Sequence, residues 1–369
     1  MSVSTKKPLD GLKVVAIEQA VAAPFASARL ADAGAQVFKI ERPEGDFARG
    51  YDDVAAGMSS YFVWLNRGKE SVVANLATPE GKELLTEMLA TADVLLQNLK
   101  PGALARLGFD FDRLEQEFQS LIVCSISGFG NDGPMANRKA YDLLIQAESG
   151  LCSITGSPEE AARVGISIVD IATGASAYSA ILEALISRSL TGKGCHISVS
   201  MFDVIAEWLT VPLLNHEGNK SPKRIGLAHP SIAPYGVFTT SDGQQVLISV
   251  QSDREWKNLC TEFVGRSELG NDTNFSTNVA RVENRATTDK IVSDAFSKMT
   301  QTQAVEAIQR AGIAFASVND MAGLSEHPHL RRITVETPNG PVSHPSPAPI
   351  ISGEERSYGP VPDLVAKEL

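Results

Sequence analysis

The chain has 369 residues, 43% of them hydrophobic and 21% charged, a balance that builds globular domains rather than disordered or fibrous chains. That length suits two domains better than one. The formal net charge of −11 speaks against a nucleic-acid binder, because a phosphate backbone selects basic faces, although a local basic cluster can still serve a polyanionic small molecule.

Leu12 to Ile17 reads as a buried strand, Pro24 to Ala33 as a helix stopped by Gly34, and Gln36 to Ile40 as the next strand. Thr78-Pro79-Glu80 is a helix start, a hydroxyl N-cap before a proline at the first helical position. Leu84, Leu85, Met88 and Leu89 then line one face. Val94 to Leu96 and Leu121 to Ser125 are two more buried strands. Such alternation predicts a parallel sheet covered on both faces, an α/β, Rossmann-like doubly wound domain. Farther on, Ile171 to Leu190 carries Tyr178, Ile181, Leu182, Leu185 and Ile186 at helical spacing, and Gly192 and Gly194 end it. Ile197 to Ser200 reads as a strand and Met201 to Leu209 as a helix. Residues 216–224 are polar and turn-rich and read as a linker between a large domain over 1–215 and a smaller α+β domain over 225–320. The smaller domain opens with a hairpin, Tyr235 to Val250, around Ser241-Asp242-Gly243, and continues in helices to about Ala311. Residues 321–369 form a C-terminal segment, rich in Pro, Ser and Gly from Pro338, that reads as an extended return to the large domain.

Cys124, Cys152, Cys195 and Cys260 form no C-x-x-C pair, which leaves zinc and redox motifs without support and fits a reducing compartment. Lys6 and Lys7 precede only the short apolar run Leu12 to Ile17, broken by Glu18, so no signal peptide is expected. No stretch of membrane length is evident, and Lys367-Glu368-Leu369 is not a peroxisomal address. The expected location is cytoplasmic, with neither membrane nor nucleic acid as partner.

After the first strand stands Glu18-Gln19-Ala20-Val21-Ala22-Ala23-Pro24 rather than G-x-G-x-x-G, and there is no G-x-x-x-x-G-K-[ST], so dinucleotide and ATP readings lose their phosphate cradle. The six histidines form no H-E-x-x-H, and no G-x-S-x-G elbow exists, which leaves metal and serine-hydrolase chemistry without a motif. Four clusters remain. Gly34 to Pro43 brings Arg42 to the end of a strand. Asn98-Leu99-Lys100-Pro101-Gly102, with Arg106, follows another. Arg138-Lys139-Ala140-Tyr141-Asp142 precedes a helix. One such cluster is ordinarily a solvated edge, but three at sheet edges and loops suit a phosphate-rich ligand. The fourth, Val164 to Gly174, puts Asp170 at the start of the long helix. An aspartate there is a favoured N-cap, and the helix N-terminus would also hold a nucleophilic carboxylate ionised; the two roles are compatible.

At these clusters the chain resembles the family III CoA-transferases. The match runs nearly end to end, through Pro8 to Leu12, Gly34 to Arg42, Thr78 to Gly81, Asn98 to Gly108, Ser127 to Gly130, Asp170, Thr191 to Gly194 and Phe202-Asp203. The resemblance implies a coenzyme A thioester as substrate, no metal, and Asp170 as nucleophile. It implies coenzyme A contacts at Arg42, Ala74, Asn75, Leu76, Ala77, Asn98, Leu99, Lys100, Arg106, Lys139, Ala140, Tyr141 and Asp142. A homodimer of interlocked chains, with the active site between the two domains, is implied as well.

Compared with formyl-CoA transferase, the chain departs at Val21 and Ala77, and His229 to Gly236 stands in place of a glycine-rich loop. These departures speak against formate and oxalate, and the pattern of Tyr141-Asp142, Gln146 to Gly150, Val164 to Ile171, Glu207-Trp208 and His229 to Gly236 resembles the dicarboxylate branch, which includes itaconate, mesaconate and citramalate CoA-transferases. The implied reaction moves CoA from an acyl-CoA such as succinyl-CoA to a small dicarboxylic acid such as itaconate, through an aspartyl–acyl anhydride and an aspartyl-CoA thioester. Arg67 and His229 are the candidates for the acid's distal carboxylate. Two related reactions share the fold: intramolecular C1–C4 transfer within mesaconyl-CoA, and α-methylacyl-CoA racemisation. The racemase pattern has a histidine where Tyr141 stands, and a neutral tyrosine is a poor proton exchanger near pH 7.

Overall fold

The computed structural model describes residues 7–353 and 356–364; Lys6 and the C-terminal Lys367-Glu368-Leu369 lie outside the described residues. Six strands form one parallel sheet: β1 (Lys13–Ile17), β2 (Gln36–Glu41), β3 (Lys69–Val73), β4 (Val94–Gln97), β5 (Ile122–Ser127) and β6 (His196–Ser200). Their order is β3-β2-β1-β4-β5-β6. The strand order reverses between β1 and β4, and in such sheets ligands bind outside the carboxyl ends at that point.

Alternation along the strands explains why helices cover both faces. Val14, Ala16, Val94 and Leu96 join one buried cluster with the helix Ala22–Asp32 and the long helix Ile168–Thr191. Val15, Ile17 and Leu95 point the other way and pack with Leu85 and Leu89 of the helix Pro79–Leu89. The start signal of that helix works as read: Thr78 Oγ1 accepts from the Gly81 N–H at 3.2 Å. β3 escaped the sequence reading because Lys69 and Glu70 make it look like a solvated turn. In the fold Lys69 is buried against Glu18, fifty-one residues away.

Ile168–Thr191 is long and apolar enough to cross a membrane, which corrects the expectation that no such stretch exists. Its Val169, Ala172, Ala177, Ile181 and Ala184 are instead buried in the core of the sheet domain. Gly192 closes it in the left-handed conformation, φ 73°.

The chain divides into two compact units. The first comprises residues 1–152, 163–217 and 331–369, and the second 153–162 and 218–330. The expected borders differ from this in three ways. His216 and Glu217 of the expected linker end the helix Thr210–Glu217; the second unit runs on to Leu330; and it takes residues 153–162 from the middle of the first. That excursion is held by contacts some seventy residues apart in sequence. The Arg224 guanidinium donates to the carbonyls of Ser153, Ser157 and Pro158, and the Gly226 N–H to that of Gly156.

In the second unit β7 (Tyr235–Thr239), β8 (Gln245–Ser249) and β9 (Ala314–Ser317) form an antiparallel sheet, and Phe238, Val246 and Ile248 pack against Trp256, Phe263 and Phe296. In the tail, β10 (Arg332–Val335) and β11 (Val342–Pro345) form a hairpin. Val335 and Val361 pack on Phe62 and Val63, and the Gly68 N–H donates to the Pro360 carbonyl at 2.8 Å.

One glycine sets how closely the long helix approaches the helix Ala22–Asp32. A Cβ on Gly174 would lie 2.4 Å from the Ala22 carbonyl oxygen and 2.8 Å from Phe25 Cβ. Backbone cannot yield as a side-chain tip can, so Gly174→Ala forces the helices apart. We expect Gly174→Ala to destabilise the protein by about 1–3 kcal/mol in chemical denaturation. An unchanged midpoint would show that the crossing has slack.

Candidate active site

The loop after β1 carries the first part of the site. Ala20 adopts φ 62°, a left-handed conformation uncommon for a residue with a side chain. Three contacts hold it. Gln19 N–H donates to Asn98 Oδ1 at 3.0 Å, Asn98 Nδ2 donates to the Gln19 carbonyl at 2.8 Å, and Ala20 N–H donates to Asp46 Oδ1 at 3.2 Å. Asp46 pairs with Lys39 at 2.8 Å, and Glu18 with Lys69 at 2.6 Å. All four charges are buried, and such charges persist only when paired and hydrogen-bonded. Where a dinucleotide fold uses glycines, this chain uses a buried ionic lattice to fix the turn between β1 and the next helix.

Asp170 lies at the third residue of the long helix. It is not the cap. Ser167 precedes the helix without a side-chain cap bond, and the exposed helix N–H groups are taken up from outside. Asp142 Oδ2 accepts from the N–H of Val169 at 2.8 Å and of Asp170 at 3.2 Å. The other oxygen, Oδ1, accepts from Gln146 Nε2 at 2.5 Å, and Gln146 Oε1 accepts from the Val164 N–H at 2.9 Å. Gln146 is fully buried and Asp142 nearly so.

This arrangement reverses the electrostatic expectation for Asp170. Burial, and then the negative charge of Asp142 beside it, push its pKa from the ordinary 3.8 up to about 7. Desolvation and a like charge outweigh the favourable helix terminus. The result is a carboxylate poorly solvated when ionised, which makes it reactive, and half ionised near neutral pH.

Asp170 opens onto a cavity of about 510 Å³ at the carboxyl ends of β1, β4 and β5. Of the residues singled out in the sequence, Asn98, Leu99, Lys100, Lys139, Ala140, Tyr141, Asp142 and Asp170 line it together. A second cavity of about 270 Å³, at the ends of β2 and β3, is lined by Arg42, Ala74, Asn75, Leu76 and Ala77. Gln19 and Leu99 line both, so the two adjoin. Arg106 lines neither; it is exposed at the end of the short helix Ala103–Arg106.

Arg67 is corrected. Its guanidinium is buried in a two-point ion pair with Asp32 and donates to the Trp64 carbonyl, and it lines neither cavity. His229 belongs to the second unit. There its ring stacks on Tyr235, its Nδ1 accepts from the Ser231 N–H at 3.1 Å, and its carbonyl accepts from Arg285.

The sequence reading missed Tyr51, Tyr61 and Arg163 in the first cavity and gave Ser167, inside the stretch Val164 to Gly174, no role. Burial and the nearby carboxylates of Asp46 and Asp170 push the Tyr51 phenol up to about 12, so it stays a hydrogen-bond donor. No local motif marks these residues; Tyr61 comes from the helix Ser60–Asn66 and the others from segments between the regular elements, and only the fold brings them together.

Comparisons with known proteins find relatives along nearly the whole chain. The family model described as CoA-transferase family III matches residues 9–360. The succinate–glutarate CoA-transferase of Agrobacterium fabrum is 35% identical over 95% of this chain and 90% of its own. The acetyl-CoA:oxalate CoA-transferase of Acetobacter aceti is 37% identical over 94% of this chain and 90% of its own. A crystal structure of a CAIB/BAIF family protein from Brucella suis superposes with a TM-score of 0.81 at 36% identity, covering 96% of this chain and 95% of that one.

The raised pKa yields two expectations. If ionised Asp170 is the reacting form, kcat/KM rises with pH through a limb near 7, and Asp142→Asn, which keeps an acceptor for the helix N–H groups but removes the charge, moves that limb to lower pH. A limb that stays in place would separate Asp142 from the titration. Stability works in the opposite sense. Between pH 4 and 7 the unfolded chain releases the Asp170 proton while the folded chain retains it, so stability falls as pH rises across that window. Asp170→Asn is therefore stabilising at pH 8, by up to ~4 kcal/mol before solvent screening lowers the figure, and neutral near pH 4. Melting curves at the two pH values check this; equal effects would contradict it.

Proposed function

The chain belongs to CoA-transferase family III, and on that premise we propose that it moves coenzyme A from an acyl-CoA, succinyl-CoA being the expected donor, to a small dicarboxylic acid, with Asp170 as the nucleophile. The observation that carries this reading is one carboxylate, raised to about 7, opening into the larger of two adjoining cavities at the sheet's switch point. The cavity at β2 and β3, with Arg42 and the Ala74–Ala77 loop, suits the nucleotide end of coenzyme A. The arm then passes Gln19 and Leu99 toward Asp170, with Lys100 and Lys139 alongside. Lysines at such a site complement phosphate charge.

The steps balance without a proton transfer. An Asp170 oxygen attacks the thioester carbonyl carbon, the C–S bond breaks, and CoA leaves as thiolate with a mixed anhydride behind it. The thiolate attacks the Asp170 carbonyl carbon and expels the donor acid as carboxylate, leaving an aspartyl-CoA thioester. The acceptor carboxylate attacks that same carbon, thiolate leaves again, and its attack on the acceptor's carbonyl frees Asp170. Anhydride and thioester both hydrolyse, so the site must exclude water. Each attack places charge on a carbonyl oxygen, and the protonated Tyr51 phenol is one neutral side-chain donor in the cavity that can answer it.

The resemblance to the dicarboxylate branch favours itaconate, mesaconate or citramalate as acceptor. The name of the Agrobacterium relative adds glutarate, and that of the Acetobacter relative returns oxalate to the candidates. A cytoplasmic, interlocked homodimer is part of the same reading. Ile186, Leu190, Trp208, Val211, Leu213 and Leu214 are exposed on three successive helices, apolar surface that a partner chain would cover.

The test is exchange followed by mass spectrometry: purified protein, succinyl-CoA, and glutarate, itaconate, mesaconate, citramalate or oxalate, with Asp170→Ala in parallel. We expect one or more new acyl-CoA species with wild type, and a loss of about 10³-fold or more in the variant. Transfer that survives in Asp170→Ala would remove the nucleophile from this account. Rearrangement of mesaconyl-CoA with no intermolecular acceptor would replace it with the intramolecular reaction.

A further inference from the structure

Of the four cations lining the larger cavity, three have an evident use. Arg138 is paired with Glu148 at 3.0 Å, and Lys100 and Lys139 stand on the loops read as holding coenzyme A. Arg163 is the fourth. It is exposed, and among the described residues its guanidinium meets no carboxylate; its one contact is a 3.5 Å approach to the carbonyl of the next residue, Val164.

The backbone beside it is not loose. The Val164 N–H donates to the buried Gln146, which in turn holds the Asp142 carboxylate that caps the helix bearing Asp170. Arg163 therefore comes to the cavity on the same buried framework that positions the nucleophile. A long side chain with a fixed base and a free planar head is suited to a carboxylate, which it can grip with two parallel N–H groups. It stands four residues before Ser167 and seven before Asp170, and all three line this one cavity, which the acyl group must enter to reach Asp170. The phosphates of coenzyme A are a whole pantetheine arm away from the sulfur.

We infer that Arg163 binds the remote carboxylate of the dicarboxylic acid and so makes the enzyme select dicarboxylates over monocarboxylates. The inference rests on the CoA-transferase reading given above and supplies the anchor that Arg67, committed to Asp32, does not.

The test compares glutarate with pentanoate, acids of equal chain length that differ by the second carboxylate. Because transfer through a covalent enzyme follows ping-pong kinetics, kcat/KM for the acceptor reports its own half-reaction and is insensitive to the donor, here succinyl-CoA. Arg163→Leu is expected to lower kcat/KM for glutarate by at least about tenfold while leaving pentanoate unchanged or improved. Arg163→Lys should recover part of the glutarate rate. Should wild type leave pentanoate unreacted, the two acids are compared as competitive inhibitors, and only the glutarate constant should weaken in Arg163→Leu. Equal losses for both acids would overturn the inference in favour of a role in coenzyme A binding or folding, and no loss for either would overturn it outright. Both results leave Asp170 untouched. A wild-type protein that transfers CoA to no acid, or an Asp170→Ala variant that still transfers it, would instead sink the functional reading and this inference with it.

Discussion

The carboxylate of Asp142 accepts the backbone N–H groups of Val169 and Asp170 and so does two things at once. It ends the long helix from outside, replacing the cap that Ser167 does not provide, and thereby fixes where Asp170 begins its turn. It also places a negative charge next to Asp170 in a poorly solvated setting, which keeps that carboxyl from ionising as readily as a surface one. A capping side chain on the long helix itself would have fixed the position without the charge. Borrowing the cap from a neighbouring helix couples geometry to reactivity, and Gln146 extends the coupling to Val164, the residue after the cavity-lining Arg163.

On the opposite wall the same logic recurs with ion pairs. The turn after β1 must hold Ala20 in a left-handed conformation and present Gln19 to both cavities. No glycine is there to make that conformation easy. Instead Asp46 and Asn98 grip its backbone, and the cations Lys39 and Lys69 balance the carboxylates of Asp46 and Glu18 beneath it. Removing one member would leave a buried charge unpaired, so the lattice acts as a unit. Close packing at Gly174 then sets the distance between this wall and the helix that carries Asp170.

How much of this was legible in the sequence depends on the distance over which each signal acts. Strands such as Leu12 to Ile17 and the helix start at Thr78 announce themselves locally, because burial and capping write periodic or short motifs. The cavity-lining loops Asn98 to Lys100 and Lys139 to Asp142 could be picked out because they follow strands or precede a helix. Asp170 could be singled out at the start of the long helix, but its electrostatics were misjudged: the helix terminus is local and visible, whereas Asp142 lies twenty-eight residues away and acts only through the fold. Arg67 misled for the same reason. In sequence it is a free cation in a turn, and its partner Asp32 is thirty-five residues distant. Arg163 and Tyr51 carried no motif at all, and residues 153–162 joined the second unit through Arg224 and Gly226 far down the chain.

The central claim is that CoA passes through a covalent bond to Asp170, and trapping that bond tests it most directly. Incubating the enzyme with succinyl-CoA and then with hydroxylamine converts an aspartyl-CoA thioester into a hydroxamate on the same carbon, which peptide mass spectrometry can place. The account predicts a single hydroxamate on Asp170, formed only when the acyl-CoA is present. A modification on any other residue, or none while CoA transfer proceeds at full rate, would contradict it.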